Sequence, residues 1–277
     1  MRAGHDVTVY NRTASRAIRW GESLSGEGFA YSAVSTPAAA AGDADVVIAC
    51  VGNDEDLASV ITGADGALET LREGALLIDH TTTSAAMARH LNEVCLQRGI
   101  DFLDAPVSGG EAGAVNGQLA IMCGGSDAAF ARAQPVMQPY AKAMVHVGPA
   151  GAGQTAKMAN QMCIAGVLGG LSEAIRLAQG AGLDLDKTYE AISGGAAQSW
   201  QMDNRWATMT ADEFDFGFAI DWMRKDLGYA LDEAKRLGLS APISALVDQF
   251  YADVQAQGGG RSDTSALITR LAKSKSS

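Results

Sequence analysis

Over the first 150 or so residues, short apolar runs alternate with longer helical stretches. Residues 5–10 alternate polar and apolar and end in the turn Asn11-Arg12-Thr13. Residues 45–51 are a continuous apolar run behind an Ala-rich helix over 36–42, and residues 75–79 are another ahead of a helix over 84–97. Runs at 102–106, 119–123 and 144–147 complete the series. Continuous apolar strands separated by helices predict βαβ units and a mainly parallel, doubly wound sheet covered on both faces.

After Gly153 the strand pattern stops. Apolar residues at helical spacing predict a long helix over 154–181, ending at Gly180-Ala181-Gly182, and further helices over 184–193, 219–237, 242–256 and 263–273. Asp184 and Asp263 suit N-caps, and Pro242 suits a helix start. The expected organisation is an α/β domain over 1–150 and an all-helical domain over 151–277 that opens with a long interdomain helix.

Composition narrows the function classes. Of 277 residues, 47% are apolar and 19% charged, which is a folded composition. Lys plus Arg number 21 against 32 Asp plus Glu, a net charge of −11 that argues against a nucleic-acid surface. An anionic small-molecule substrate is compatible, because a site needs only a few local donors. Cys50, Cys95, Cys123 and Cys163 fit no zinc or redox spacing and lie in apolar runs, so buried, reduced thiols and a cytoplasmic setting are expected. No signal peptide is legible at Met1. The apolar stretch 156–177 is broken by Lys157, Asn160, Glu173 and Arg176, so a membrane span is not expected. His5, His80, His90 and His146 have no metal-ligand spacing, and no metal is expected.

A dinucleotide-binding Rossmann fold opens with a strand, a Gly-rich turn and a helix. Here Met1-Arg2-Ala3-Gly4-His5 reads as the last turn of a helix, a Gly cap and a second strand, and no G-x-G-x-x-G joins a strand to a helix. The expectation is a Rossmann-like domain whose first βα unit lies upstream of Met1. At the second-strand tip such folds place an acidic residue for the ribose of NAD or an Arg for the 2′-phosphate of NADP. Asn11-Arg12-Thr13 stands there, and its guanidinium is either a phosphate contact or a solvated surface group.

Three further segments carry candidate chemistry. In the strand-end segment 104–110, Ser108 offers a hydroxyl and Gly109 and Gly110 offer unobstructed backbone N–H groups, ahead of a short helix over 111–116. That is either a carboxylate cradle or a tight Gly-Gly turn. In the Gly-rich hinge and helix that follow, Lys157, Asn160 and Gln161 share one face at i, i+3, i+4. Lys157 on an apolar helix either snorkels or faces a functional cleft, where a lowered pKa suits a general acid or base. Arg224-Lys225-Asp226 lies within 219–237 and is a solvated stripe or a site element. The run Thr81-Thr82-Thr83 either lines a ligand or caps the helix over 84–97, capping being the simpler reading.

These segments, in this order, resemble the β-hydroxyacid dehydrogenase family, which includes 3-hydroxyisobutyrate dehydrogenase and tartronate semialdehyde reductase. Residues 104–110 (Asp-Ala-Pro-Val-Ser-Gly-Gly) resemble its substrate-binding signature. Gly151-x-Gly153-x-x-x-Lys157-x-x-Asn160 resembles its catalytic signature, and Lys225-Asp226-Leu227 its C-terminal one. The resemblance covers nearly the whole chain and implies an NAD(P)-dependent oxidoreductase interconverting a small 3-hydroxy acid and its semialdehyde. It implies Lys157 as general acid/base, Ser108, Gly109 and Gly110 on the substrate carboxylate, and Asn160 with Gln161 as substrate-orienting amides. It implies cofactor contacts at Val51, Gly52, Asn53, Thr82 and Lys225, and it favours NADP over NAD through Asn11, Arg12 and Thr13. The residues setting substrate size are expected in 198–200 or 214–218. A homodimer or homotetramer is expected. The family places its Gly-rich loop about twenty residues before Ala3-Gly4-His5, which carries the expectation of an upstream unit. A non-catalytic member and an imine-reductase-like relative are the alternatives; the latter usually lacks the catalytic Lys.

Overall fold

The computed structural model describes residues 3–25 and 31–272. Met1 and Arg2, the expected end of a helix, and the basic tail lie outside the described residues. The chain divides between Ala156 and Lys157 into two compact units.

The first unit opens with β1 (Thr8–Tyr10), α1 (Ala14–Ser25), β2 (Ser32–Val34) and α2 (Pro37–Ala41). Next come β3 (Val46–Ala49), α3 (Asp54–Thr62), β4 (Leu76–Asp79), α4 (Ala85–Gln97) and β5 (Asp101–Asp104). It closes with β6 (Val107–Ser108), α5 (Gly110–Val115), β7 (Leu119–Gly125), α6 (Asp127–Met137) and β8 (Ala141–Gly148). β1 and β2 form a parallel pair of their own. The six-stranded sheet runs β3-β4-β5-β7, with β6 and β8 also on β7. Among the described residues β1 is not hydrogen-bonded to β3.

β3, β4 and β5 are parallel, as their apolar runs predict, and every residue of β4 is buried. Leu77 faces a core with Leu57, Ile61, Leu91 and Phe102, whereas Leu76 and Ile78 face another with Leu103, Ile121 and Met137. Alternate residues of one strand thus fill the cores on both faces, which is the doubly wound α/β arrangement. The sheet is mixed rather than uniformly parallel, because β7 runs antiparallel to β5 and β6. The β6–β7 connection, built on the short α5, is too short for a parallel crossover, which takes about a dozen residues or more. Three of these helix starts, those of α3, α4 and α6, are capped by the residue just before them. Asn53 Oδ1 accepts from Asp56 N at 2.8 Å, Ser84 Oγ from Met87 N at 3.0 Å, and Ser126 Oγ from Ala129 N at 3.1 Å.

α7 (Ala152–Gly180) carries the chain into the second unit, followed by α8 (Leu185–Ser193), α9 (Trp200–Ala211), α10 (Ile220–Arg236) and α11 (Pro242–Ala256). Leu168, Leu171 and Ile175 of α7 meet Met202, Trp206 and Met209 of α9, Ile220, Met223 and Leu227 of α10, and Val247, Tyr251 and Val254 of α11. Each set repeats every three or four residues, so each helix buries one stripe. Arg224 ties α10 to α11 through both oxygens of Asp248, at 3.0 and 3.3 Å.

Two expectations need correction. The segment read as a helix over 263–273 is a 3-10 run, Thr264–Arg270, started by the Asp263 side chain. Thr264 through Ile268 are all buried, which a one-sided α-helix does not accommodate. Of the four cysteines, Cys95 and Cys123 are buried, but Cys50 and Cys163 are exposed. Cys163 lies on α7 outside its buried stripe, and Cys50 follows the last residue of β3.

Candidate active site

In the first unit the candidate residues gather where the strands end. β3 runs into Val51, whose N–H donates to Thr81 Oγ1 at 3.0 Å. Thr81 N–H in turn donates to Asp79 Oδ1 at 2.9 Å, so the segments after β3 and β4 are fastened together. Gly52, Asn53 and Thr82 are half-buried beside these anchors in sequence, and Thr82 stands between the buried Thr81 and Thr83. The threonines do not cap α4; Ser84 does, and Asp54 holds Ser84 through its N–H and hydroxyl at 2.9 and 2.6 Å.

The same strand ends hold the start of α7. Asp104 Oδ1 accepts from Gly151 N at 2.7 Å and Oδ2 from Gln154 N at 2.9 Å. Gln154 reaches back, its Oε1 accepting from Thr83 N at 3.0 Å and its Nε2 donating to Thr81 O at 2.7 Å. A Cβ on Gly153 would lie 2.8 Å from Asp104 Oδ2, and one on Gly124 would lie 2.6 Å from Oδ1, so the close approach demands glycine. Asp79 and Asp104 are register neighbours on β4 and β5. Burial pushes the Asp79 carboxyl up to about 7, against two hydrogen bonds from Thr81 and with the help of the Asp104 and Asp54 charges. Its Oδ2 is buried without a hydrogen-bond partner among the described residues. Burial likewise pushes Asp104 up to about 6, opposed by the N–H groups of the α7 start.

His80 fills the adjoining position. Its Nδ1 faces Ala105 O at 2.6 Å, so that nitrogen carries the proton, and Nε2 accepts from the Tyr140 hydroxyl at 2.9 Å. Burial holds the imidazole below its ordinary pKa, in the neutral form this pairing requires.

Ser108 ends β6 half-buried, and Gly109 and Gly110 follow exposed, with φ of +133° and +62°. No atom crowds a Cβ at Gly110, so its backbone conformation, not space, calls for glycine there. At the β1 tip, Asn11 Oδ1 accepts from Thr13 N at 2.9 Å and shapes the turn. The exposed Arg12 donates from Nη1 to Asp56 Oδ1 at 2.8 Å.

In the second unit a buried polar cluster sits on α7 and α10. Lys157 is buried, and desolvation drives its pKa below the ordinary lysine value. The Asp226 carboxylate works against that shift and the Lys225 charge adds to it. Asp226 is itself buried, pushed up by desolvation and pulled back by Lys225 and Lys157. Gln161 Nε2 donates to Asp226 Oδ2 at 2.7 Å, Asn160 Nδ2 donates to Gln161 Oε1 at 2.7 Å, and Lys225 Nζ lies 3.2 Å from Asp226 Oδ1. Lys225 also stands over the rings of Trp222 and Tyr229, at 5.7 and 5.5 Å. Of the two amides left open by the sequence, Gln161 uses both ends on protein partners. Lys157, Asn160, Gln161 and Lys225 are thus brought into one cluster, and its centre, Asp226, was not among the residues singled out as binding or catalytic. Its sequence signal was its place within Lys225-Asp226-Leu227, where only Lys225 was assigned a contact.

The segments expected to set substrate size have structural duties as well. Ser199 caps α9 through Met202 N at 3.1 Å. Trp200 and Phe216 flank the Arg205 guanidinium at 5.1 and 5.0 Å. Arg205 pairs with the buried Asp263 at 2.9 Å.

Known proteins similar to this chain give its family. Residues 1–148 match the family described as the NAD binding domain of 6-phosphogluconate dehydrogenase. Residues 151–271 match the family described as NAD-binding of NADP-dependent 3-hydroxyisobutyrate dehydrogenase. An "uncharacterized oxidoreductase" of Shewanella frigidimarina is 53% identical over 100% of this chain and 93% of its own length. The 2-hydroxy-3-oxopropionate reductase of Escherichia coli is 36% identical over 82% of this chain and 78% of its own. A solved structure of Mycobacterium tuberculosis 3-hydroxyisobutyrate dehydrogenase with L-serine shares 32% identity, covering 97% of this chain and 91% of that one, with a TM-score of 0.85. The fold and these matches define an NAD(P)-dependent oxidoreductase. Within that class the chain belongs to the β-hydroxyacid dehydrogenase family, the group of 3-hydroxyisobutyrate dehydrogenase and tartronate semialdehyde reductase. Among the described residues no helix is long and apolar enough to cross a membrane.

Proposed function

We propose that this protein interconverts a small 3-hydroxy acid and its semialdehyde, of the 3-hydroxyisobutyrate or tartronate semialdehyde type, with NADP preferred over NAD. The observation that carries the reading is Lys157, buried on α7 with its pKa lowered and its charge offset by a buried carboxylate. A lysine whose pKa burial lowers gives up its proton more readily than a solvated one, as general acid/base work requires.

The donor set of the first unit suits a dinucleotide. The guanidinium of Arg12, the hydroxyls of Thr13 and Thr82 and the backbone at Val51, Gly52 and Asn53 lie after β1, β3 and β4, and strand C-terminal ends are where ligands bind in open α/β sheets. When bound, the nicotinamide supplies or accepts the hydride. Residues 1–150 hold it, with a further contact from Lys225, and residues 151–277 supply the proton donor.

Ser108 and the backbone N–H groups of Gly109 and Gly110 hold the substrate carboxylate. Asn160, with Gln161 behind it, orients the reacting carbon. In reduction the Lys157 ammonium gives its proton to the carbonyl oxygen as negative charge develops there; in oxidation the neutral amine takes the hydroxyl proton. Asp226 keeps the protonated form of Lys157 accessible against desolvation.

The test is a cofactor-absorbance assay of 3-hydroxyisobutyrate with NADP⁺ and of tartronate semialdehyde with NADPH, for the natural sequence and Lys157→Ala. Turnover that disappears in the variant is the expected result. A variant that keeps most of its turnover removes Lys157 from the chemistry.

A further inference from the structure

The 2.8 Å bond between Arg12 and Asp56 joins two groups of opposite consequence for a cofactor phosphate. Arg12 sits at the β1 tip, its side chain 82% exposed, while the Asp56 side chain is 28% exposed. The carboxylate is the fixed partner. Asp56 stands in the first turn of α3, its backbone N–H is held by the Asn53 cap at 2.8 Å, and the positive end of the helix favours a negative charge there. Asp54 and Glu55 precede it in the same turn, and Asp54 is engaged by Ser84. A 2′-phosphate arriving at Arg12 therefore meets a cation already matched by a stationary anion.

We propose that Asp56 is a specificity-determining residue: its carboxylate competes with the cofactor's 2′-phosphate for Arg12 and narrows the preference for NADPH over NADH. This rests on the reading of Arg12 as the phosphate contact. Two roles of the ion pair are separable by sign. If the pair oriented Arg12 for the phosphate, removing Asp56 would weaken NADPH binding. An exposed single-bond pair orients a long side chain weakly, since such pairs contribute only about 0–1 kcal/mol. A carboxylate bonded to the guanidinium occupies donors that the phosphate would take and cancels part of the charge that attracts it. Competition is therefore the larger effect. NADH, with a ribose hydroxyl in place of the phosphate, feels neither term strongly.

The experiment is a fluorescence titration with NADPH and with NADH of the natural sequence, Asp56→Asn, Arg12→Gln and the double variant, at low and high ionic strength. Asp56→Asn keeps the shape of the side chain and removes its charge. The expected result is NADPH binding tightened by roughly fivefold, the size of a partly screened charge pair, with NADH changed by less than about twofold. The gain disappears in the Arg12→Gln background, as a direct coupling requires, and shrinks at high salt. NADPH affinity that is unchanged or weakened in Asp56→Asn, while Arg12→Gln weakens NADPH selectively, overturns the proposal and leaves Arg12 as the phosphate contact. An Arg12→Gln variant that binds both cofactors as before overturns the Arg12 reading and the proposal with it. Absence of saturable binding of either cofactor to the natural sequence overturns both together with the cofactor preference.

Discussion

The Asp104 carboxylate accepts a hydrogen bond from the Gly151 backbone N–H at 2.7 Å and so caps α7 from a strand end forty-seven residues earlier in the chain. Its second oxygen takes Gln154 N–H. A helix start normally finds its acceptor in the residue just before it. Here residues 148–151 offer no hydroxyl, amide or carboxylate side chain, and the cap comes from β5.

Asp104→Asn leaves one acceptor oxygen and turns an amide N–H toward a backbone N–H. The expected cost is about 1–3 kcal/mol, the range for a buried donor left unsatisfied. Urea unfolding followed by circular dichroism measures it, and an unchanged midpoint would show that the cap contributes nothing.

Lys157→Ala removes the proposed proton donor and none of the groups expected to hold the dinucleotide other than through α10. Turnover is expected to fall by about 10²–10⁴, the usual contribution of general acid/base catalysis, with NADPH affinity changed little. Steady-state kinetics and a cofactor titration on one preparation separate the two effects.

Asp79 gives the fold a pH dependence of definite sign. Its folded-state pKa, about 7, lies above the ordinary aspartate value of 3.8, so the folded chain binds more protons than the unfolded one between those values. Its contribution to stability is therefore lost as pH rises from about 4 to about 7. Asp79→Asn keeps an acceptor for Thr81 N–H and cannot ionise. Its stability relative to the natural sequence should increase across that window, read from melting temperatures at several pH values. Parallel curves would mean that Asp79 does not titrate there.

Arg205→Ala leaves Asp263, with its carboxylate almost fully buried, without its cation. Such a loss costs about 3–5 kcal/mol. Asp263 also accepts from Ser265 and from Phe218 N, so the 3-10 run and the 214–218 segment loosen together. Faster proteolysis within 214–218 is the accompanying sign, and a variant as stable as the parent would contradict this account.

Much of the architecture was legible because it is written in near neighbours. The apolar runs that became β3, β4 and β5 and the periodic stretches that became α7, α10 and α11 record burial within a few residues of one another. Asp184 was legible as a cap because its acceptors serve Asp186 and Lys187. The direction of β7 was not, since an apolar run reads alike in either direction and only the short link from β6 decides it. The exposure of Cys50 and Cys163 was missed for a related reason: an apolar run shows that an element is buried, not which of its residues is left outside.

Sequence alone determined the alternation of apolar strands and helices over the first half, the helices α7, α8, α10 and α11 but not α9 of the second, and the motifs that put Ser108, Lys157 and Lys225 forward, because each depends on residues covalently close to one another. Only the tertiary structure decided that Asp104 caps α7, that Asp226 gathers Lys225 and Gln161 and biases Lys157, and that Arg12 rests on Asp56. These relationships join residues from forty-four to sixty-nine positions apart or, at Lys225 and Asp226, depend on which side chain the fold desolvates. Burial then sets their charges: the same aspartate or lysine is an ordinary surface ion in water and a proton-exchanging group once the folded chain has removed its solvent.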